Sequence, residues 1–453
     1  MKTFEELGVS EDIRRAIEEL GFEHPMPVQE EVIPYLLGNK NDVIALAQTG
    51  TGKTAAFGLP LLQKVDAQNR ATQAIVLSPT RELCVQIADD LKDFSKYING
   101  MNIVPVYGGA DIRPQIRTIK HGVQIVVATP GRLVDLINRG VMELNQVNNV
   151  VLDEADEMLN MGFIEDIETI FKKANPDSRV LMFSATMPKQ ILKIAADFMG
   201  EYEIVEEEAS EEPLPLTEQF FWMVREEDKS EALVRLIDTA ENFYGLVFCQ
   251  TKVDADAVAK ELDERHYEAA ALHGDIPQGQ REKILSRFRA GKTRILVATD
   301  VAARGIDIEG ITHVVNYSIP YDGPTYTHRI GRTGRAGAKG TAVSFIRPNE
   351  RRRIDYLRRH ARGELQEGKI PSIEKVLAQK QERLFSDLRR QLDTVRAEHT
   401  VNKPFIELAR ELLAGNKASL AATQENAAVS YSENTESSVK NIDGPADSLN
   451  TAD

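Results

Sequence analysis

Short apolar runs alternating with helical segments constrain this chain more than any other feature. In its first part the runs are 43–45, 74–77, 103–106, 125–128, 150–152 and 180–183. In its second part they are 220–224, 246–249, 269–272, 295–298, 314–315 and 341–345. Segments between them, such as 82–98 with Leu83, Ile87 and Leu91 at four-residue spacing, have a helical period. Strand and helix in alternation imply a parallel sheet covered on both faces, with ligands bound beyond the carboxyl ends of the strands. Chemistry is therefore expected just after each run. The two parts echo one another: Ile125-Val126-Val127-Ala128-Thr129 matches Ile295-Leu296-Val297-Ala298-Thr299, and Tyr107-Gly108-Gly109 has a loose counterpart in His273-Gly274-Asp275. They read as two copies of one α/β domain.

Only the first copy carries Ala47-Gln48-Thr49-Gly50-Thr51-Gly52-Lys53-Thr54, set between the first run and a helix expected from Ala55. Strand, glycine-rich turn, Lys-Thr and helix form the layout of a phosphate-binding loop: backbone N–H groups and a helix N-terminus face the phosphates. Lys53 would reach the β- and γ-phosphates and the Thr54 hydroxyl would ligate Mg²⁺. Ala47 stands where this pattern usually begins with Gly, which points away from kinases and small GTPases. Upstream, Gly21-Phe22-Glu23-His24-Pro25-Met26-Pro27-Val28-Gln29 contains two prolines and reads as a stiff loop. It would hold Gln29, whose amide offers an adenine edge one donor and one acceptor.

The later runs are each followed by polar signatures. Pro79-Thr80-Arg81-Glu82-Leu83, Gly108-Gly109 and Thr129-Pro130-Gly131-Arg132 suit the anchoring of a phosphate backbone at helix starts. Asp153-Glu154-Ala155-Asp156 follows Val-Val-Leu, and a carboxylate at the end of a buried strand is costly unless it serves a metal or a hydrogen-bond network. Asp153 is placed for the Mg²⁺ shell and Glu154 for the attacking water. The hydroxyls of Ser184-Ala185-Thr186 would bond Asp156, cap the next helix, or do both. In the second copy, Thr299–Asp307 and His328-Arg329-Ile330-Gly331-Arg332-Thr333-Gly334-Arg335 bring arginines spaced by glycines, suited to a phosphate held elsewhere.

A chain of 453 residues with 42% hydrophobic content suits two domains plus extras. The net charge of −15 excludes a protein that coats nucleic acid through overall charge, so any such contact is a local surface. Much of the acid is concentrated: seven of the twelve residues 201–212 are Glu, and residues 421–453 hold six acids against one Lys. Two distant cysteines, Cys84 and Cys249, exclude a disulfide scaffold and fit a reducing compartment. The eight histidines show no zinc-ligand spacing with them. With no apolar stretch long enough for a membrane and a start unlike a signal peptide, the expected location is cytoplasmic.

Taken in order, these motifs resemble the set of the DEAD-box RNA helicases over roughly residues 1–370. The resemblance implies two tandem RecA-like parallel-sheet domains that close over ATP and RNA. It implies that Gln29 reads adenine with Phe4 and Phe22 beside the base, and that Gln48, Thr49, Gly50, Thr51, Gly52, Lys53 and Thr54 hold the phosphates and Mg²⁺. Asp307 would contact the ribose. Asp153 would serve the metal and Glu154 the water, Arg332 and Arg335 would be arginine fingers, and Asp156 would link Ser184, Thr186 and His328. RNA-backbone contacts would fall on Arg81, Gly109, Thr129, Arg132, Thr251, Gln278, Arg281 and Thr299. One departure is Met26, where the family usually has a hydroxyl residue; it puts one phosphate-loop hydrogen bond, and so ATP affinity, in question.

The expected domains are 1–205 for nucleotide binding, a linker at 206–216 within an acidic segment read from 201, and a second RecA-like domain at 217–370. A helical extension at 371–420, with helices at 372–395 and 404–413, is a candidate dimerisation module or a packing arm, and an acidic disordered tail follows at 421–453. The basic run Arg351-Arg352-Arg353 with Arg358, Arg359 and Arg362 is a candidate auxiliary RNA contact. The implied activity is ATP-dependent local unwinding or remodelling of RNA, with ribosome assembly or mRNA decay, and their proteins as partners, the usual settings. An ATP-gated RNA clamp of low turnover is the alternative.

Overall fold

Val, Ile, Leu and Ala fill the short runs, and each run pairs only in parallel. The computed structural model describes residues 2–38, 41–47, 51–206, 217–303, 308, 310–334, 338–361 and 363–397, with side chains through 386. The first sheet holds β1 (Asp42–Leu46), β2 (Ala74–Leu77), β3 (Ile103–Val106), β4 (Ile125–Ala128), β5 (Asn149–Leu152), β6 (Arg179–Ser184) and β7 (Tyr202–Glu206). The second holds β8 (Thr217–Met223), β9 (Gly245–Cys249), β10 (Ala269–Leu272), β11 (Ile295–Thr299), β12 (His313–Asn316), β13 (Gly340–Ile346) and β14 (Leu365–Glu367). Their orders are β3-β4-β2-β5-β6-β1-β7 and β10-β11-β9-β12-β13-β8-β14, the same order twice. The sequence echoes fall on equivalent strands: β4 and β11 carry the Thr129 and Thr299 repeats, and β3 and β10 lead into Gly108-Gly109 and Gly274-Asp275. These are two tandem RecA-like domains.

The two-residue period of a strand divides each run between two layers. Val43 and Ala45 enter one core and Ile44 the other; Ile75 and Leu77 lie opposite Ala74 and Val76. In the second domain Leu246 and Phe248 face one core while Val247 and Cys249 face the other. Helices on both faces complete those cores, which is why the central runs are apolar without alternation.

Four expectations change. Residues 201–206 are not linker: β7 pairs with β1 from Asp42↔Tyr202 to Leu46↔Glu206. Its side chains are largely exposed, so its glutamates look like solvated chain while its backbone completes an edge that acidic residues protect from further pairing. β14 was likewise invisible, being three residues long. Pro27 does not stiffen a loop; it opens the helix Pro27–Gly38, where its fixed φ suits a first turn, and Gln29 stands on that helix. The helix after the phosphate loop begins at Lys53, two residues before Ala55, so both Lys53 and Thr54 sit in its first turn.

Residues Met1–Ile373 form one compact unit containing both domains. Of the remainder, the helix Ile373–Ala397 agrees with the helical period expected at 372–395. The linker 207–216, the second expected helix 404–413 and the tail 421–453 lie outside the described residues. Among the described residues no helix is long and apolar enough to cross a membrane.

Candidate active site

Strands β1 to β6 of the first domain lead into the polar motifs, whereas the edge strand β7 does not. β1 leads into the phosphate loop, of which Thr51 to Thr54 are described and Gln48, Thr49 and Gly50 are not. Gly52 has φ +79°, a left-handed conformation that glycine adopts without strain. A Cβ there would collide with the Gln29 amide and the Met26 sulfur, so the helix Pro27–Gly38 lies directly on the loop. Gln29 is buried, donates from Nε2 to the Gly52 carbonyl (3.0 Å) and accepts at Oε1 from the Met26 N–H (3.0 Å). Here Gln29 braces the loop through its own backbone contacts. Phe4 is also buried; it belongs to the first-domain core, 6.4 Å between ring centroids from Phe22, which in turn meets Phe94 edge-on. Phe4 lies in, and Phe22 packs against, the hydrophobic cluster that also takes in Val28, Val32, Ile33 and Leu36 of the Gln29 helix.

Lys53 is buried, and its Nζ lacks a hydrogen-bond partner among the described residues; the nearest anion is Asp153 Oδ1 at 4.0 Å. A buried ammonium on the first turn of a helix is a site for an anion. Asp153 ends β5, and burial pushes its carboxyl up to about 6, with the Lys53 charge opposing that rise and Glu154 adding to it. Glu154 has φ 50° and ψ 50°, left-handed without being glycine, and one of its carboxylate oxygens is buried without a hydrogen-bond partner among the described residues. Such strain costs on the order of 1–3 kcal/mol and concentrates at functional positions. The donor set fits: Lys53 would meet a phosphate, and Thr54 and Asp153 would hold a divalent cation beside it. Among the described residues no cluster of three His, Cys, Asp or Glu side chains forms a closed metal cage.

Asp156 accepts from Thr186 Oγ1 (2.7 Å), but Ser184 Oγ donates to the Thr186 carbonyl (2.7 Å), not to Asp156. Ser184 therefore shapes the turn after β6 instead of bonding the acid. His328 does not meet Asp156 either. Its Nδ1 lies 2.6 Å from Glu157 Oε1, a residue the motif reading passed over because one more acid in an acidic helix carries no signal. Arg332 is buried and lines a pocket with Glu157, His328, Arg329, Asp300 and Phe248. Arg335 and Asp307 lie outside the described residues. Arg329, also unassigned from sequence, is an internal brace: it grips both oxygens of Asp300 (2.5 and 2.8 Å), Asn316 Oδ1 (2.9 Å) and the Ser318 carbonyl (2.7 Å).

Similarity to known proteins decides the family. The DEAD/DEAH box helicase family model matches residues 26–194, and the helicase conserved C-terminal domain matches residues 228–337. A DEAD-box ATP-dependent RNA helicase CshA from Geobacillus kaustophilus is 47% identical over 377 residues, 83% of this chain and 80% of that protein. The chain is a DEAD-box ATP-dependent RNA helicase. CshA of Listeria monocytogenes is 49% identical over 79% of this chain and 68% of its own length. Among solved structures, Saccharomyces cerevisiae Dbp5 bound to RNA and ADP BeF3 superposes with TM-score 0.76 at 30% identity, over 84% of this chain and 99% of that one. Mss116p bound to ssRNA and AMP-PNP gives 0.73 at 31% identity, over 83% and 81%.

The residues expected on the helicase's RNA side divide into two groups. Arg81 covers Gly109, whose φ of +79° and lack of a Cβ admit the guanidinium, and donates to Gln278 Oε1 (2.9 Å) in the second domain. Arg132 is tied to Gln115 Oε1 (2.9 Å) and the Ala110 carbonyl (3.1 Å), Thr129 is the buried N-cap of its helix, and Thr299 ends β11 half-buried. Thr251 caps its helix by accepting from the Asp254 N–H (3.1 Å). Arg281 differs: it is buried, donates twice to Glu82 Oε1 (2.9 and 2.7 Å) and once to the His273 carbonyl (3.2 Å). So engaged, Arg281 ties the two domains together and does not present itself to a phosphate.

Proposed function

We propose that this helicase hydrolyses ATP with Mg²⁺ to separate or remodel short RNA duplexes and ribonucleoprotein, in the cytoplasm, in ribosome assembly or mRNA decay. The observation that carries the reading is the buried ammonium of Lys53, without a hydrogen-bond partner among the described residues, beside Asp153 and the strained Glu154. Lys53, with the Thr49–Thr54 amides and hydroxyls, neutralises and orients the triphosphate. Thr54 and Asp153 would hold Mg²⁺, which would supply charge neutralisation for the triphosphate. Glu154 orients and deprotonates water, and Arg332 and Arg335 stabilise charge in the transition state, an effect on the order of 10³–10⁵ in rate where such arginines act. Gln29 and the Phe4–Phe22 layer set the base pocket, with Asp307 on the ribose. Arg81, Gly109, Thr129, Arg132, Thr251 and Thr299 contact RNA phosphates, which explains why an acidic chain needs only a local surface.

The test is ATP hydrolysis with and without single-stranded RNA, with Glu154→Gln as blank. RNA should stimulate turnover strongly, DNA should not, and the variant should lose at least a hundredfold, the scale on which a positioned acid–base group acts. ATP-dependent RNA retention with hardly any hydrolysis would overturn this reading in favour of a clamp.

A further inference from the structure

We propose that Glu157 is a positioning residue for ATP hydrolysis, receiving His328 from the second domain and transmitting its placement to Glu154. The inference rests on the hydrolytic reading above. Glu157 and His328 are 171 residues apart in sequence, yet Oε1 and Nδ1 are 2.6 Å apart with side chains only 4% and 16% exposed. A carboxylate only accepts, so the imidazole donates from Nδ1. Glu157 belongs to the first turn of the helix Ala155–Asn160, and its backbone N–H bonds the carbonyl of Glu154 (3.0 Å) and Oδ1 of Asp156 (3.1 Å). Pinning Glu157 therefore pins the turn on which the left-handed Glu154 backbone depends.

The other end of the contact is equally well connected. His328 lies in the helix Gly323–Ile330, which Arg329 clamps to Asp300, and the Arg332 N–H bonds the carbonyl of Arg329 (3.1 Å). One side-chain contact thus joins the turn that carries Glu154 to the segment that carries Arg332. Asp156 is bonded to Thr186 inside the first domain.

The test is a double-mutant cycle of Glu157→Ala and His328→Ala, read as RNA-stimulated kcat and as KM for ATP. Each single variant should lower kcat by about tenfold, the scale of coupling between contacting residues, with KM for ATP changed less than twofold. The double variant should be no worse than the poorer single one. Glu157→Gln, which keeps an oxygen acceptor for His328, should recover at least half of the lost rate. If Glu157→Ala does not fold, Glu157→Met, close in volume, closes the same cycle. Multiplying losses in the double variant, a rise in KM in step with the fall in kcat, or no recovery with Gln would overturn the proposal. Failure of the wild-type enzyme to respond to RNA would instead overturn the function it rests on.

Discussion

At Asp153 two effects oppose each other, and burial outweighs the attraction of an ammonium 4.0 Å away. Its carboxyl titrates at about 6 when folded, against 3.8 for the ordinary side chain. The native state therefore binds the proton more tightly than the unfolded chain. Its stability gains from this group as pH falls from about 6 towards 3.8, and that gain is absent above 6. Denaturant unfolding of the nucleotide-free wild type and of Asp153→Asn, at pH 7 and at pH 4.5, checks the sign. The wild type should improve relative to the variant at the lower pH, by on the order of 2 kcal/mol. The cysteines give a second test at this scale. Cys84 and Cys249 are fully buried, and burial pushes each thiol up to about 12. A thiol reagent at pH 8 should label neither in the native protein and both in denaturant, since the thiolate is the reactive form.

At the scale of single elements, the phosphate loop and its flanking helices act as one unit. Gly52→Ala would force a left-handed backbone on alanine and drive its methyl group into the Gln29 amide. ATP affinity should fall at least tenfold, with a loss of stability on the order of 1–2 kcal/mol, measured by nucleotide titration and thermal unfolding. Most elements were legible because side-chain pattern and backbone role coincide. The runs 74–77, 103–106, 125–128 and 269–272 are strands to the residue, since an apolar run bounded by turns has few other uses. β7 was misread because its role is carried by backbone pairing while its side chains face water. The Gln29 segment reads as a stiff loop because it holds two prolines, whereas at a helix start the ring geometry of Pro27 favours the fold.

At the scale of the whole molecule, the contacts that matter join residues remote in sequence, and no local pattern announces them. Arg81 and Arg281 are expected at RNA phosphates from the family resemblance; the fold brings Arg81 to Gln278 and Arg281 to Glu82, 197 and 199 residues away. The Glu82–Arg281 pair is nearly dry, with side chains 8% and 9% exposed. Removing one partner of such a pair leaves an uncompensated charge, at a cost of about 3–5 kcal/mol if nothing moves. Here something can move, because the two residues belong to different domains and separating them returns Arg281 to water. Glu82→Ala should therefore open the molecule before it unfolds either domain. The expected result is a lower transfer efficiency between fluorophores placed on the two domains, with each domain's own unfolding transition little changed. Glu82→Ala combined with Arg281→Met, which removes both charges, should restore much of the transfer signal. A fall in domain stability without separation would show that the pair supports the fold of one domain and does not hold the two together.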